Sequence, residues 1–401
     1  MDMKVYFDNA ASTRVCDEAI DVMTTVMRDC YGNPSSLHEC GFSAKKFLEN
    51  ARCEVAASMG AKPENICFTS GGTEANNWSV FGSAEKYARK GKHIITSAIE
   101  HSAVSDPIKK LENSGWDVTY LYPDENGRIT GEVFADVLCE DTVFASIMLV
   151  NNETGVVNPV KAYSDEIKRR KLDTVLHTDA IQGLCKIPFT VKSTGADLIT
   201  VSSHKIHGPK GVGALYIKDG VKIAPFILGG SHEKGIRGGT EALPAAVGFG
   251  KAAESGMTEY GSVSAHVLSL REYIIKRLHD EVPGFVCILN EDAKFSGNCG
   301  ITDDKVDLCN ISNSPFILPL SLPGYMSEVL MTFLSGEGIC VSRSAACKKG
   351  ARSRTLEAMK LRNDVIDGAL RISFSRYNTE EEAEYFVQMM KRASQVLLKK
   401  L

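Results

Sequence analysis

The sequence predicts an α/β protein built on a mainly parallel sheet, followed by a smaller α+β unit. Three observations carry this expectation. Over residues 15–255, short apolar runs alternate with segments of helical period, the pattern of a parallel sheet covered on both faces. Nearly every apolar run there ends in polar, reactive residues, and in such sheets ligands lie beyond the carboxyl ends of the strands. After residue 255 this alternation stops. The expected division is residues 15–255 as a large unit, with 1–14 and 256–401 as a smaller one.

The elements follow in order. Residues 66–69 (ICFT) read as a strand running into the turn SGGTE at 70–74, which opens a helix over 75–90. Residues 93–96 form a second strand, followed by Glu100-His101. A third spans 143–150 (VFASIMLV) and ends in NNETG at 151–155. A fourth at 174–177 ends in Thr178-Asp179, a fifth at 197–201 ends in SSHK at 202–205, and a sixth spans 213–217. Beyond 255 come an amphipathic helix at 264–280, strands at 285–290 and 316–322, a helix at 325–336 and an apolar run at 338–341. A strand at 369–375 precedes a closing helix at 379–400, whose first turn holds Glu380, Glu381 and Glu382, a favourable placement for the helix dipole.

Composition excludes several classes. The 401 residues carry 46 Lys and Arg against 50 Asp and Glu, a net charge of −4, so there is no electrostatic case for nucleic acid or an anionic membrane as main partner. With 43% hydrophobic and 24% charged residues, the chain is not mostly disordered. No uncharged apolar stretch reaches the roughly 18 residues of a membrane span, and the opening residues show no secretory pattern. Twelve cysteines are scattered without a CxxC pair, which argues against a disulfide framework or a structural zinc. The expectation is a reducing, cytoplasmic compartment. No GxGxxG follows a strand and no GxxxxGK[ST] occurs, which argues against dinucleotide and P-loop sites.

Six positions carry candidate chemistry, each with a plainer alternative. Lys205 follows a buried strand, where partial desolvation lowers an amine's pKa and lets it act as nucleophile or Schiff base; the alternative is a solvated loop lysine. Asp179 tips another buried strand, where a carboxylate needs a cationic partner such as a protonated pyridine nitrogen, or else caps the next helix. Ser70-Gly71-Gly72-Thr73 opens a helix whose N-terminus favours a phosphate, though such turns are common. His101 can stack on an aromatic cofactor and trade protons near neutral pH, or be a hydrogen-bonded core histidine. Arg371 starts an apolar strand and suits bidentate capture of a carboxylate, or a surface ion pair. Cys347 alone among the cysteines lies in a small-residue, basic loop (about 342–354), with Arg343, Lys348, Lys349, Arg352 and Arg354 favouring its thiolate; the alternative is a redox-labile surface thiol.

Taken together, these residues resemble the cysteine desulfurases, in the fold-type I, class V group of pyridoxal-phosphate aminotransferase-like enzymes. The motifs match in order: YFDNAA (6–11), YGNPSS (31–36), FTSGGTEANN (68–77), Glu100-His101, NNETG (151–155), HTDAIQ (177–182), SSHKIHGPKG (202–211), RGGT (237–240) and the Arg371 strand. The resemblance implies a mainly parallel seven-stranded sheet and a small domain carrying the cysteine loop. It implies that Lys205 joins the aldehyde of pyridoxal 5'-phosphate, that Asp179 keeps the pyridinium nitrogen charged, and that His101 stacks on the ring and assists proton transfer. Gln182 would hydrogen-bond the phenolic oxygen and Asn152 would orient ring and substrate. Gly72, Thr73, Ser202 and His204 would hold the phosphate, and Thr240 would reach that of the partner subunit in a homodimer. Arg371 and Asn33 would grip the carboxylate of L-cysteine. Cys347 would take its sulfur as a persulfide for a sulfur-acceptor protein or thiol. One departure stands out: Ser344-Ala345 replaces the family's usual Gly-Ser in the loop, which bears on its dynamics. Selenocysteine lyase, a class V transaminase or lyase without a thiol, and a non-catalytic sulfur-carrier scaffold are the alternative readings.

Overall fold

The computed structural model describes residues 3–289, 307–343 and 352–399. The strands, in chain order, are β1 (Val5–Tyr6), β2 (Ile66–Thr69), β3 (His93–Ser97), β4 (Asp117–Leu121), β5 (Thr142–Ser146), β6 (Val175–Asp179), β7 (Leu198–Ser202), β8 (Gly213–Ile217), β9 (Val286–Cys287), β10 (Ile317–Ser321), β11 (Ile339–Cys340), β12 (Ser342–Arg343) and β13 (Ala369–Ser373). The helices are α1 (Asp17–Asp29), α2 (Glu39–Ala57), α3 (Gly72–Tyr87), α4 (Ser102–Glu112), α5 (Gly131–Val137), α6 (Val160–Arg169), α7 (Val191–Thr194), α8 (Leu243–Glu281), α9 (Ser327–Gly336), α10 (Arg354–Ala358), α11 (Asn363–Asp367) and α12 (Glu380–Val396).

Seven strands form one sheet in the order β2-β8-β7-β6-β5-β3-β4. Strand β8 runs antiparallel to both its neighbours, and the rest are parallel. Every residue of β3, β5, β6 and β7 is buried. Helices cover both faces, which explains why these strands read as continuous apolar runs rather than as alternating ones. The fourth strand, β4, is the one the sequence reading lacks. It sits at the sheet edge, half exposed, and Asp-Val-Thr-Tyr-Leu carries too little apolar signal to stand out.

Strand β5 stops at Ser146, short of the expected residue 150. Beyond it Ile147 N and Leu149 N still donate to His177 O and Asp179 O of β6, at 3.3 and 2.9 Å, while Met148 N–H donates to Glu100 Oε1 at 2.9 Å and Asn158 Nδ2 donates to Met148 O at 2.9 Å. These bonds lead the chain into the NNETG loop at the sheet's carboxyl edge.

Helix α8 is the second departure. The expected helix at 264–280 is the latter part of a continuous 39-residue helix that crosses position 255 without a break. Its first half packs Leu243, Ala246, Phe249 and Ala253 into the core around the large sheet. Its second half packs Val267, Leu270, Ile274 and Leu278 into another core with β10, β13 and α12. One rigid rod therefore serves both cores.

A second, antiparallel sheet has the order β12-β13-β10-β9. Strand β1 pairs in parallel with β11, which ties the start of the chain to this half. Phe7 is fully buried there, edge-on to Phe374 (5.5 Å) and Phe386 (5.7 Å). On the usual scale of large-to-small core changes, Phe7→Ala would cost about 3–5 kcal/mol. The next residues, 8–13, then cross to the carboxyl edge of the large sheet.

Candidate active site

Five strand ends converge on that edge. Strand β2 delivers the 70–74 turn, β3 Glu100-His101, β5 the 151–155 loop, β6 Asp179, and β7 Ser202 to Lys205. The helix after β2 starts at Gly72, three residues earlier than expected, with no side chain capping its N-terminus. A Cβ at Gly72 would lie 2.2 Å from Ile181 Cδ1, so a larger residue there would have to push the Ile181 side chain aside for this helix end to stay as close to the tips of β6 and β7. Gly72 is buried and Thr73 exposed beside it.

Asp179 is buried at the tip of β6. Its Oδ2 accepts from Asn76 Nδ2 at 2.7 Å and its Oδ1 from Ile181 N at 2.9 Å. Both partners are uncharged, and burial pushes the carboxyl above its ordinary pKa. The Ile181 contact is the helix-cap-like role of the plainer reading; Asn76, from α3, is a partner no sequence signal announced.

Lys205 closes a 3-10 turn (Ser203–Lys205). Its Nζ donates to Ala10 O at 2.7 Å and Ala11 O at 2.6 Å. Burial pulls its pKa to about 8, with repulsion from Arg371 adding to that and attraction to Asp8 and Asp179 opposing it. It is not a solvated loop lysine. The turn is held by the crossing segment: Thr13 donates through N and Oγ1 to His204 O, both at 3.0 Å, and Thr13 Oγ1 accepts from His207 N at 2.8 Å. His204 Nδ1 lies 3.3 Å from Ser12 Oγ, and burial holds the ring near pKa 4, hence neutral. Ser202 is buried at the end of β7.

His101 is the N-cap of α4, its Nδ1 accepting from Ala103 N at 3.1 Å. That bond leaves Nε2 as the nitrogen to carry a proton in the neutral ring. The adjacent Glu100 is buried and pushed up to about 8 by burial, with Ser97 Oγ donating to it at 2.5 Å.

Gln182 is buried beneath the same cluster. Its Nε2 donates to Ala10 O at 2.8 Å, and its Oε1 accepts from the buried Lys186 Nζ at 3.0 Å. The NNETG loop is shaped by Asn151, whose Oδ1 accepts from Glu153 N, Thr154 N and Thr154 Oγ1. Gly155, at φ +80°, makes the return turn. Asn152 is thereby carried to Arg371, whose Nη1 donates to its carbonyl oxygen at 2.8 Å.

Arg371, on β13, is 3% exposed. Its Nη2 donates to Asp8 Oδ1 at 2.9 Å, and its buried Nε has no partner among the described residues. An ion pair is therefore present, but it is buried rather than at the surface as the plainer reading has it, and one donor remains for a ligand. Glu153 accepts from Ser353 Oγ at 2.5 Å and Thr355 Oγ1 at 3.2 Å, linking this loop to the stretch that follows residue 351. Cys347 and its neighbours Ser344 and Ala345 lie outside the described residues.

Two expected residues stand apart from these contacts. Asn33 is exposed between α1 and α2, its Oδ1 accepting from Ser35 N at 2.8 Å. Thr240 is exposed in the loop before α8. That loop is pinned by Arg237 on Glu74 (2.9 Å) and by Glu233 on Arg52 (2.8 Å). A larger cavity, about 750 Å³, lies over Arg52 and Glu233, and none of the expected site residues lines it.

The residues fit pyridoxal phosphate. A buried carboxylate without a cationic bond partner matches a pyridinium nitrogen, a partly desolvated amine matches its aldehyde, and an uncapped helix start held close by Gly72 matches its phosphate. Asp8, Asn76, Glu153 and Lys186 are members that motif-by-motif reading missed.

Known proteins resemble the chain over nearly its whole length. The aminotransferase class-V family model matches residues 5–386. A cysteine desulfurase IscS of Methanosarcina thermophila is 35% identical over 98% of this chain and 92% of its own. A putative cysteine desulfurase IscS 1 of Bacillus subtilis (strain 168) is also 35% identical, over 97% of this chain and 99% of its own. Among solved structures, a NifS-like protein superposes with a TM-score of 0.89 at 36% identity, covering 98% of this chain and all of that one. SspA in complex with cysteine superposes at 0.77 with 30% identity, covering 94% of this chain and all of that one.

Proposed function

Because the chain belongs to the aminotransferase class-V family, we propose that it is a cysteine desulfurase, converting L-cysteine to L-alanine and passing the sulfur to Cys347. The observation that carries the cofactor side of this reading is Asp179: a buried carboxylate whose two hydrogen-bond partners are both neutral.

Pyridoxal phosphate, when bound, supplies an electron sink conjugated to the substrate's Cα. Lys205 would hold it covalently, Asp179 would face its ring nitrogen, and Gln182 its phenolic oxygen. Gly72, Thr73, Ser202 and His204 would hold its phosphate. Arg371 grips the substrate carboxylate through its free Nε, with Asn152 beside it and Asn33 closing from the loop above α2. Lys205 Nζ, with a pKa near 8, takes and returns the proton at Cα. His101, with its Nδ1 engaged by Ala103 N, has Nε2 left to carry a proton for the reaction.

The Cys347 thiolate then attacks the substrate sulfur. A sulfur–sulfur bond forms, the Cβ–S bond breaks, and its electron pair stays on Cβ, which a proton then occupies. The balance is one thiol and one cysteine giving one persulfide and one alanine. The persulfide passes to an acceptor protein or thiol.

The working form is taken as a homodimer in which Thr240 serves the partner's site, in keeping with its exposure. A reducing, cytoplasmic setting is in keeping with twelve cysteines scattered along the chain without a CxxC pair. The functional units are taken as residues 15–255 and residues 1–14 with 256–401, bridged by α8.

The test is incubation of cofactor-loaded protein with L-cysteine, following alanine and protein-bound persulfide together. Wild type yields both, with persulfide on Cys347. Cys347→Ser abolishes sulfur release. Alanine formation with persulfide on another residue would overturn the acceptor assignment.

A further inference from the structure

The reaction as derived leaves one buried lysine without a task. Lys186 is 5% exposed and lies four residues after Gln182 in the turns that follow β6. Its Nζ donates to Gln182 Oε1 at 3.0 Å. At the other end of the same amide, Gln182 Nε2 donates to Ala10 O at 2.8 Å, and that carbonyl also accepts from Lys205 Nζ at 2.7 Å. A cavity of about 20 Å³ beside Lys186 and Lys205 has room for one water to take another of the ammonium's protons.

A primary amide can turn over, exchanging an acceptor oxygen for a donor nitrogen. A carbonyl only accepts, so the NH2 must face Ala10, and Lys186, which while protonated only donates, takes the oxygen at the other end. One Nε2 hydrogen is spent on Ala10, and one is left over.

We infer that Lys186 is a positioning residue: with the Ala10 carbonyl it clamps the Gln182 amide so that the remaining N–H is presented to the cofactor's phenolic oxygen. This rests on the assignment of Gln182 above. The charged and titratable groups nearest Lys186 are Lys205, Arg371, Cys185, His204 and His207. Burial holds both histidines near pKa 4 and Cys185 near 12, so none of those three titrates between pH 5.5 and 9.5, whereas burial, with repulsion from Lys205 and Arg371 adding to it, draws the Lys186 amine itself down to about 7, inside that window.

The test is spectroscopic and needs no turnover. Protein loaded with pyridoxal phosphate is titrated in that pH window without substrate, and the midpoint of its visible absorbance band is read. A hydrogen bond to the phenolic oxygen favours the deprotonated chromophore. Lys186→Met and Lys186→Gln should therefore both raise the midpoint, by about one unit for a charge-assisted contact. Gln182→Leu should raise it comparably. The decisive measurement is the double variant. In the Gln182→Leu background, adding Lys186→Met should move the midpoint by less than a third of its effect in wild type. A full, additive shift would mean that Lys186 acts by its charge alone, and an unchanged midpoint in both single Lys186 variants would mean that it orients nothing; either result overturns the proposal. If Lys186→Met does not fold, Lys186→Gln carries the same comparison. Wild-type protein that develops no band with pyridoxal phosphate would overturn the cofactor assignment and this proposal with it.

Discussion

Asp8 and Arg371, 363 positions apart in the chain, form an ion pair at 2.9 Å in which the arginine is almost fully buried. Asp8 Oδ1 also accepts from Ser342 Oγ at 2.8 Å. The aspartate thus occupies Nη2 of the guanidinium, beside the Nε left for a substrate carboxylate, and draws on the same charge. Asp8→Asn should lower the melting temperature, because it leaves a buried cation with weaker compensation. It should also lower KM for L-cysteine, since the substrate then meets the full charge. Arg371→Lys should raise KM by roughly 10- to 100-fold with a smaller effect on kcat, the range of a lost charge-assisted hydrogen bond. Steady-state kinetics at fixed pH separates the two variants, and a raised KM in Asp8→Asn would contradict the competition.

The Lys205 amine should react as a neutral nucleophile at unusually low pH. Its pKa is drawn down from 10.5 to about 8, chiefly by burial. In the cofactor-free protein, trapping of Lys205 by an aldehyde and borohydride should rise tenfold per pH unit up to about pH 8, then level off. An ordinary lysine would keep rising past pH 10. Mass spectrometry of the Lys205 peptide across the pH series decides the matter.

Asp179 should weaken the cofactor-free fold at neutral pH. Its folded pKa is raised by burial, so the folded state binds the proton more tightly than the unfolded chain does. Stability from this group is full below the unfolded carboxyl pKa, near 3.9, and is lost as pH climbs through the raised folded value. Cofactor-free Asp179→Asn should therefore melt higher than wild type at pH 7, and the difference should vanish near pH 3.5. With pyridoxal phosphate added, wild type should gain more than the variant, and activity in the variant should fall by at least about a hundredfold. Thermal melts with and without cofactor test this; a variant less stable than wild type in the cofactor-free state at pH 7 would contradict it.

Ser353 caps α10, accepting from Leu356 N at 3.1 Å while its hydroxyl donates to Glu153 at 2.5 Å. Ser353→Ala should cost about 1–3 kcal/mol, from a lost cap and a lost bond to a buried carboxylate. Ser353→Thr, which keeps the hydroxyl, should recover most of it. Denaturant unfolding of the three proteins measures the difference.

Much of the fold was legible because most strands of the large sheet are buried on both faces. The runs 66–69, 93–96 and 213–217 hardly differ from β2, β3 and β8. Where the apolar signal weakens, legibility fails. Strand β4 is a polar edge, and α8 passes through residue 255 because its two halves serve different cores, a fact no local pattern carries.

The sequence by itself determined the sheet's central strands and the polar residues at their tips, including His101, Asp179 and Lys205, because a reactive side chain after a short apolar run is a local pattern. Only the tertiary structure decided their partners: Asn76 on Asp179, Asp8 on Arg371, and Ala10 shared by Lys205 and Gln182. Those contacts span 103 to 363 positions. Bonds of that reach depend on how β1, α3 and β13 pack against the sheet edge, and packing is a property of the whole chain rather than of any stretch of it.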